Sequence, residues 1–267
     1  MFCPPHGIIT ITAPNPSLTT LEGTNTYLIG RRPRGEMVVI DPGPDSPIHR
    51  EVIFHEIRSV GGRVSLILLT HSHPDHAAGA LALSKALQVP VCGFPGGAVP
   101  LDRELSHGAM VEIEGFSFRC LHTPGHARDH LCFVLSGKGI VLTGDLVLGR
   151  GSLALFPPEG DLDLYRTSLS LLLTLDEEWI LPGHGPPVPL KRTVEEYLRH
   201  RQDRENQIKE ALALGCSTVD EVMEWVYRDL DPALYGLARG TVEVHLASLM
   251  GRGGVVLEDG RYCHHPG

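Results

Sequence analysis

His71-Ser72-His73-Pro74-Asp75-His76 places four side chains able to bind metal within six residues. The apolar run Val64-Ser65-Leu66-Ile67-Leu68-Leu69 precedes it, and a small-residue stretch that reads as helix follows from Ala77. A strand is therefore expected to end, a short loop to carry the four groups, and a helix to start behind them. Loops at strand ends are where α/β proteins place their sites, so this run ties the chain to a sheet-based fold. If the loop stays extended, His71 and His73 face one point. Asp75 and His76 then pass it toward a second, which suits two metal ions.

A histidine run can also arise on a solvated loop. Three further segments argue otherwise. His122-Thr123-Pro124-Gly125-His126 is the first. Thr143-Gly144-Asp145 follows the strand-like Gly139-Ile140-Val141-Leu142, and Pro182-Gly183-His184-Gly185 follows Trp179-Ile180-Leu181. Each ends an apolar run with a turn and presents one candidate ligand, and composition alone does not order four such segments along a chain.

These motifs resemble those of the metallo-β-lactamase superfamily, whose pattern is His-x-His-x-Asp-His, then a His, an Asp and a His. The resemblance spans about residues 20–190 and implies that His71, His73 and His126 hold one metal. It implies that Asp75, His76 and His184 hold the other, with Asp145 bridging. Val39-Ile40-Asp41-Pro42-Gly43 resembles the family's first motif, which makes Asp41 the group that orients a ligand. The implied fold is α+β, a four-layer αββα sandwich. Pattern alone gives only mixed α/β. Retention of both Asp75 and Asp145 is similar to glyoxalase II, lactonases, phosphodiesterases and nucleases rather than to class B β-lactamases.

The coarse reading puts strands at 8–13, 26–30 and 37–40, a helix over 48–60 ended by Gly61-Gly62, and helices over 79–87 and 162–173. Hairpins are expected around Glu114-Gly115 and between Leu131–Leu135 and Ile140–Leu142. A metal-binding domain over 1–190 is followed by a linking helix over 191–214, read from Thr193 to Leu214, and a unit over 215–267. In that last unit Val219, Val222, Met223, Val226, Tyr227 and Leu230 recur at helical spacing, as do Val242, Leu246, Leu249 and Met250. Ser217 or Thr218 is the candidate cap, and Asp259-Gly260 between two strand-like pieces is a hairpin signal. Helices followed by a hairpin fit a winged helix.

That combination resembles the β-lactamase-like-protein-two family. So do Leu21-Glu22-Gly23-Thr24-Asn25-Thr26-Tyr27-Leu28, Thr123 to His130, and Gly144-Asp145-Leu146-Val147-Leu148-Gly149. The family includes an endoribonuclease on single-stranded RNA, and relatives in fungal polyketide clusters are acyl-carrier thioesterases. One departure is Ala127, where a Ser or Thr usually follows the third His.

The implied activity is a metal-dependent hydrolase with two Zn2+, iron or manganese being chemically acceptable, and a bridging hydroxide as nucleophile. Asp75 and Asp145 are ligands that could also orient the nucleophile or carry a proton. The substrate is either a small-molecule ester or thioester, or single-stranded RNA. Two other readings are a mononuclear iron sulfur dioxygenase and a non-catalytic nucleic-acid-binding protein. Charge weighs against nucleic acid: the chain carries a net −9, and its part from Lys191 onward holds ten Lys/Arg against thirteen Asp/Glu. Neither half is the basic footprint of a nucleic-acid binder. Lys191, Arg192, Arg199, Arg201 and Arg204 cluster, but interleaved acids favour a solvated charged helix. The winged helix then serves as a lid, a homodimer surface or a substrate wall.

The proline-rich Met1 to His6 segment is not a leader, and no apolar run approaches the ~20 residues that span a bilayer. A cytoplasmic protein with no membrane contact is expected. The six cysteines, Cys3, Cys92, Cys120, Cys132, Cys216 and Cys263, read as reduced thiols and none is assigned to metal. His130 is a candidate hydrogen-bonding group beside the metals. His122 is expected to face core or solvent, and His264 and His265 solvent. Leu153, Leu155 and Phe156 either wall the substrate pocket or cover the core. Asn25 sits beside the site or stabilises a turn.

Overall fold

The structure, a computed structural model, describes residues 7–31 and 33–264; Cys3 and His265 lie outside them, as does the side chain of His264. The chain runs β1 (Ile8–Thr12), β2 (Asn25–Gly30), β3 (Glu36–Ile40), α1 (Pro47–Val60), β4 (Arg63–Leu68), α2 (Pro74–Ala77), α3 (Ala80–Leu87), β5 (Val91–Gly93) and β6 (Arg103–Glu104). It continues through β7 (Met110–Ile113), β8 (Phe116–His122), β9 (Leu131–Leu135), β10 (Ile140–Gly144), α4 (Leu162–Leu173), β11 (Trp179–Pro182) and β12 (Val188–Pro189). It ends with α5 (Leu190–Ala213), α6 (Val219–Val226), α7 (Tyr235–Gly251), β13 (Val255–Glu258) and β14 (Arg261–His264).

β1 to β6 form one sheet in chain order, and β12-β11-β10-β9-β8-β7 form the second. The sheets face each other through Ile29, Val38 and Leu68 on one side and Phe118, Phe133 and Leu142 on the other. Ile53, Ile57 and Leu83 of α1 and α3 cover the outer face of the first sheet. Leu169 and Leu172 of α4, with Leu190 and Val194 of α5, cover that of the second. Four layers αββα result. Strands β2, β9 and β10 are buried on both faces, which is why Leu131–Leu135 and Ile140–Leu142 read as continuous apolar runs.

The winged helix packs Val222 of α6, Val242, Leu246 and Leu249 of α7 and Val255 of β13 on Ile208 and Leu212 of α5. Thr218 and Glu221 close a capping box at the start of α6. The hairpin turns at Asp259-Gly260, both with positive φ. The spacing predicts helix to Leu230, but α6 stops at Val226. Tyr227 leaves the helix to lie under the Arg204 guanidinium, 4.0 Å from ring centre to charge.

Helix α5 differs from the solvated link that its charges suggest. It begins at Leu190, because Leu190, Val194 and Tyr197 are needed in the second sheet's outer core. Its far end belongs to the winged-helix core. Between the two, α4 and α7 close over it, so Arg201 is 1% exposed and Glu205 2%. Glu205 accepts from Arg166 of α4 at 2.7 Å, from Lys209 at 2.8 Å and from Arg252 after α7 at 2.6 Å. Charges that a helical wheel places toward solvent thus bind the two units together. No helix among the described residues is long and apolar enough to cross a membrane.

Candidate metal centre

All four ligand-bearing segments leave strand ends at one edge of the sandwich: 71–76 after β4, 123–126 after β8, Asp145 after β10 and His184 after β11. The fold brings the seven candidate ligands together. His71 Nε2 and His126 Nε2 stand 3.0 and 2.9 Å from His73 Nδ1. His76 Nε2 and His184 Nε2 are 3.3 Å apart, and Asp75 Oδ2 lies 3.5 and 3.3 Å from them. Asp145 stands between the groups, with Oδ1 3.3 Å from Nε2 of both His76 and His184 and Oδ2 3.6 Å from His126 Nε2. Within each of the sets His71-His73-His126, Asp75-His76-His184 and His71-His76-Asp145, the donor atoms fall within 4.8 Å of one another.

The far side of each imidazole fixes which nitrogen points inward. Asp41 accepts the Thr70 amide and hydroxyl, both at 2.7 Å, and receives His76 Nδ1–H at 2.9 Å. The Thr70 hydroxyl, its proton given to Asp41, accepts from His71 Nδ1 at 3.0 Å. His184 Nδ1 donates to the Gly23 carbonyl at 3.2 Å. Glu159 sits 3.2 Å from His73 Nε2. One carboxylate therefore orients His76 directly and His71 through Thr70, and Asp41 holds a positive φ of 49° to do so. These tautomers leave bare lone pairs on His71 Nε2 and His73 Nδ1 facing each other at 3.0 Å. A cation between them relieves that repulsion. The spacing also suits one, since Zn–N bonds of about 2.1 Å in a tetrahedron set neighbouring donors roughly 3.4 Å apart.

Electrostatics divides the centre in two. Burial, aided by the neighbouring imidazoles, pushes His71 well below the ordinary histidine range and His126 to about 4. Burial opposes charge on His76 and His184 too, but Asp145 outweighs it; His76 lies well above its ordinary value and His184 near 9. Burial would raise Asp145 and Asp75, yet the histidines facing them hold both carboxyls below the ordinary range. One half offers neutral nitrogens and the other carboxylates that demand positive charge. Gly183 makes the close approach possible, because a Cβ there would stand 2.5 Å from Asp145 Oδ1 and 2.7 Å from His76 Cε1.

A cavity of about 380 Å³ opens over these groups, floored by His73, Asp75, His126, Asp145 and His184 and walled by Leu18, Leu153, Phe156 and Leu237. A larger cleft of about 620 Å³ beside α5 contains none of the ligands. Leu155 is buried in the core instead of lining the cavity. His130 is fully buried beside the ligands, its ring centre 5.2 Å from that of His71 and its Nδ1 2.9 Å from Thr123 Oγ1. His122 stacks on Phe94, away from the cluster. The Asn25 amide donates to Pro182 and Gly185, so it steadies the His184 loop.

A profile for the Metallo-beta-lactamase superfamily matches residues 19–184, and one for the Beta-lactamase associated winged helix domain matches 218–261. A Drosophila melanogaster protein named Beta-lactamase-like protein 2 homolog is 32% identical over 262 residues, covering 91% of this chain and 87% of that one. The chain belongs to the metallo-beta-lactamase superfamily and, within it, to the beta-lactamase-like protein 2 family. A protein of Emericella nidulans named Thioesterase pkgB is 33% identical over 79% of this chain; the chain spans about three fifths of the length of such fungal relatives. A Burkholderia ambifaria beta-lactamase domain protein, 24% identical, shares the fold at a TM-score of 0.84 over 97% of this chain and 91% of its own. Members of the superfamily are usually hydrolytic metalloenzymes. In this member, the seven candidate ligands and Asp41, all singled out in the sequence, come together, whereas Thr70, the Gly23 carbonyl and Glu159 are not marked there. Thr70 directly precedes the ligand run; nothing marks the other two, which arrive from distant loops.

Proposed function

We propose that the chain is a dinuclear zinc hydrolase of acyl thioesters or esters. The observation that carries the substrate class is the cavity over the ligands. Its walls are mainly apolar, with Leu18, Leu148, Leu153, Phe156 and Leu237 beside Thr19, Thr20 and Ser152, and among the described residues no Lys or Arg lines it. An apolar acyl chain fits such walls, whereas a phosphodiester lying directly over the candidate ligands would meet no Lys or Arg there. The resemblance to a fungal relative named as a thioesterase points the same way.

His71, His73 and His126 would hold one ion, Asp75, His76 and His184 the other, with Asp145 between; the ions supply Lewis acidity and an activated water. The residues do the rest. Asp41 and Thr70 keep the imidazoles of His76 and His71 in the tautomers that face the centre. Asp75 is the more exposed carboxylate, 30% against 9% for Asp145, and borders the cavity. It is therefore the better placed to take a proton from the attacking water and hand it to the departing thiolate. The apolar walls exclude bulk water from the acyl group.

The test is thiol release from short acyl thioesters by zinc-loaded protein, beside a His73→Ala control and a labelled single-stranded RNA. The proposal expects thiol release that disappears in the variant and intact RNA. RNA cleavage that depends on His73, without thiol release, would overturn it. Oxygen uptake with a persulfide substrate would support the mononuclear iron reading instead.

A further inference from the structure

The cavity over the ligands does not end at its apolar walls. It shares Leu18, Ser152, Leu153, Ala154 and Leu237 with a second cavity of about 300 Å³. That cavity lies between α5 and the winged helix, and its ionisable lining groups are His200, Arg201, Arg204 and the phenol of Tyr227. Among the described residues no Asp or Glu lines it. Among the described residues neither Arg201 nor Arg204 is in an ion pair, whereas Arg166 and Arg252 nearby both pair with Glu205. In both arginines the buried Nε lacks a hydrogen-bond partner. Arg201 is 99% buried, held over Tyr165 and donating to the Leu153 carbonyl through Nη2. Arg204 lies flat on Tyr227 and is steadied by Gln207 Oε1 at 2.8 Å.

A buried cation without an ion-pair partner, as Arg201 is, is costly in a folded protein, and costlier with the half-buried Arg204 adjacent. In a chain of net charge −9, the absence of any carboxylate from this one place is informative. Two guanidiniums and an imidazole offer more donors than a single carboxylate uses, and planar forks of this kind match a phosphate. We infer that the His200–Arg201–Arg204 cavity is an anion subsite that receives a phosphate borne on the thiol half of the substrate. The inference rests on the acyl-thioester reading above. The apolar walls over the metals take the acyl half, and the thiol half continues past Leu153 and Leu237 to the arginines. The winged helix is then part of the substrate site, supplying Tyr227, Leu234 and Leu237.

The experiment compares S-hexanoyl-pantetheine with S-hexanoyl-pantetheine 4′-phosphate as substrates of the full-length, metal-loaded protein. The binding of pantetheine and of its 4′-phosphate is measured separately by calorimetry. A preference for the phosphorylated thioester in kcat/KM of about tenfold to a hundredfold is expected, the range for charge-assisted hydrogen bonds. It should collapse toward one in Arg204→Gln and be partly retained in Arg204→Lys, with both variants checked for an unchanged thermal transition. Equal kcat/KM for the two thioesters in the wild type would overturn the subsite whatever the variants do. Hydrolysis of neither thioester, with Arg204-dependent tighter binding of the phosphorylated thiol, would remove the hydrolase reading and leave the subsite standing. Equal binding of the two thiols in that case would remove both.

Discussion

At the scale of single residues, the centre depends on groups that never touch a metal. Asp41 serves two imidazoles at once, so Asp41→Asn, which tolerates the positive φ, should weaken metal binding by about 10- to 100-fold. Competition with a chromogenic chelator measures this; unchanged affinity would mean that Thr70 alone fixes the rings. Gly183→Ala should lower metal occupancy, because the added methyl meets Asp145 Oδ1 and His76 Cε1 most closely, ahead of the Gly144 backbone at 3.0 Å. Elemental analysis of the purified variant checks it. The candidate ligands and Asp41 are legible in the sequence because each sits in a short motif at a strand end. Glu159 and Gly23 are not, since their roles exist only after loops far apart in sequence meet.

At the scale of elements, α5 carries the most weight. Pattern reading placed its length within a few residues but misjudged its surroundings. Arg201 and Glu205 read as solvated charges because a helical wheel does not reveal that α4 and α7 close on that face. Glu205 has a pKa of about 2. Burial works against its charge, but hydrogen bonds from Arg252, Lys209 and Arg166 outweigh that. Its pKa is thus lower folded than unfolded. The stability it contributes is fully present above about pH 4.5 and is lost as pH falls toward 2. Glu205→Gln should destabilise the protein by about 3 kcal/mol at neutral pH and flatten the fall in stability on acidification. Denaturant unfolding at pH 7 and pH 3 reads both effects. A variant as stable as the wild type would show that the two units hold together without this cluster.

At the scale of the whole molecule, the two sheets, four layers and winged helix follow from patterns visible along the chain: strand-end motifs, runs buried on both faces, and a helix pair closed by an Asp-Gly hairpin. A substrate wall was one of the roles open to the winged helix, and Leu237 fills it; that the two units share a core helix is not visible in the pattern. The centre and the fold should therefore be coupled. Chelating the metals ought to leave facing lone pairs and two carboxylates with only protons to balance them. Ions bound at a thousand times their Kd add about 4 kcal/mol, so chelation should lower Tm by roughly 10 °C in a chain of this size, with recovery on adding zinc. An unchanged Tm would place the metals outside the structural account.

The central claim is that seven side chains form two metal sites sharing Asp145. The direct measurement is the number of divalent ions per chain in wild type, His73→Ala and His184→Ala after zinc loading and desalting. Two ions in the wild type and about one in each variant is the result predicted. One ion or none in the wild type, or two in either variant, would contradict it.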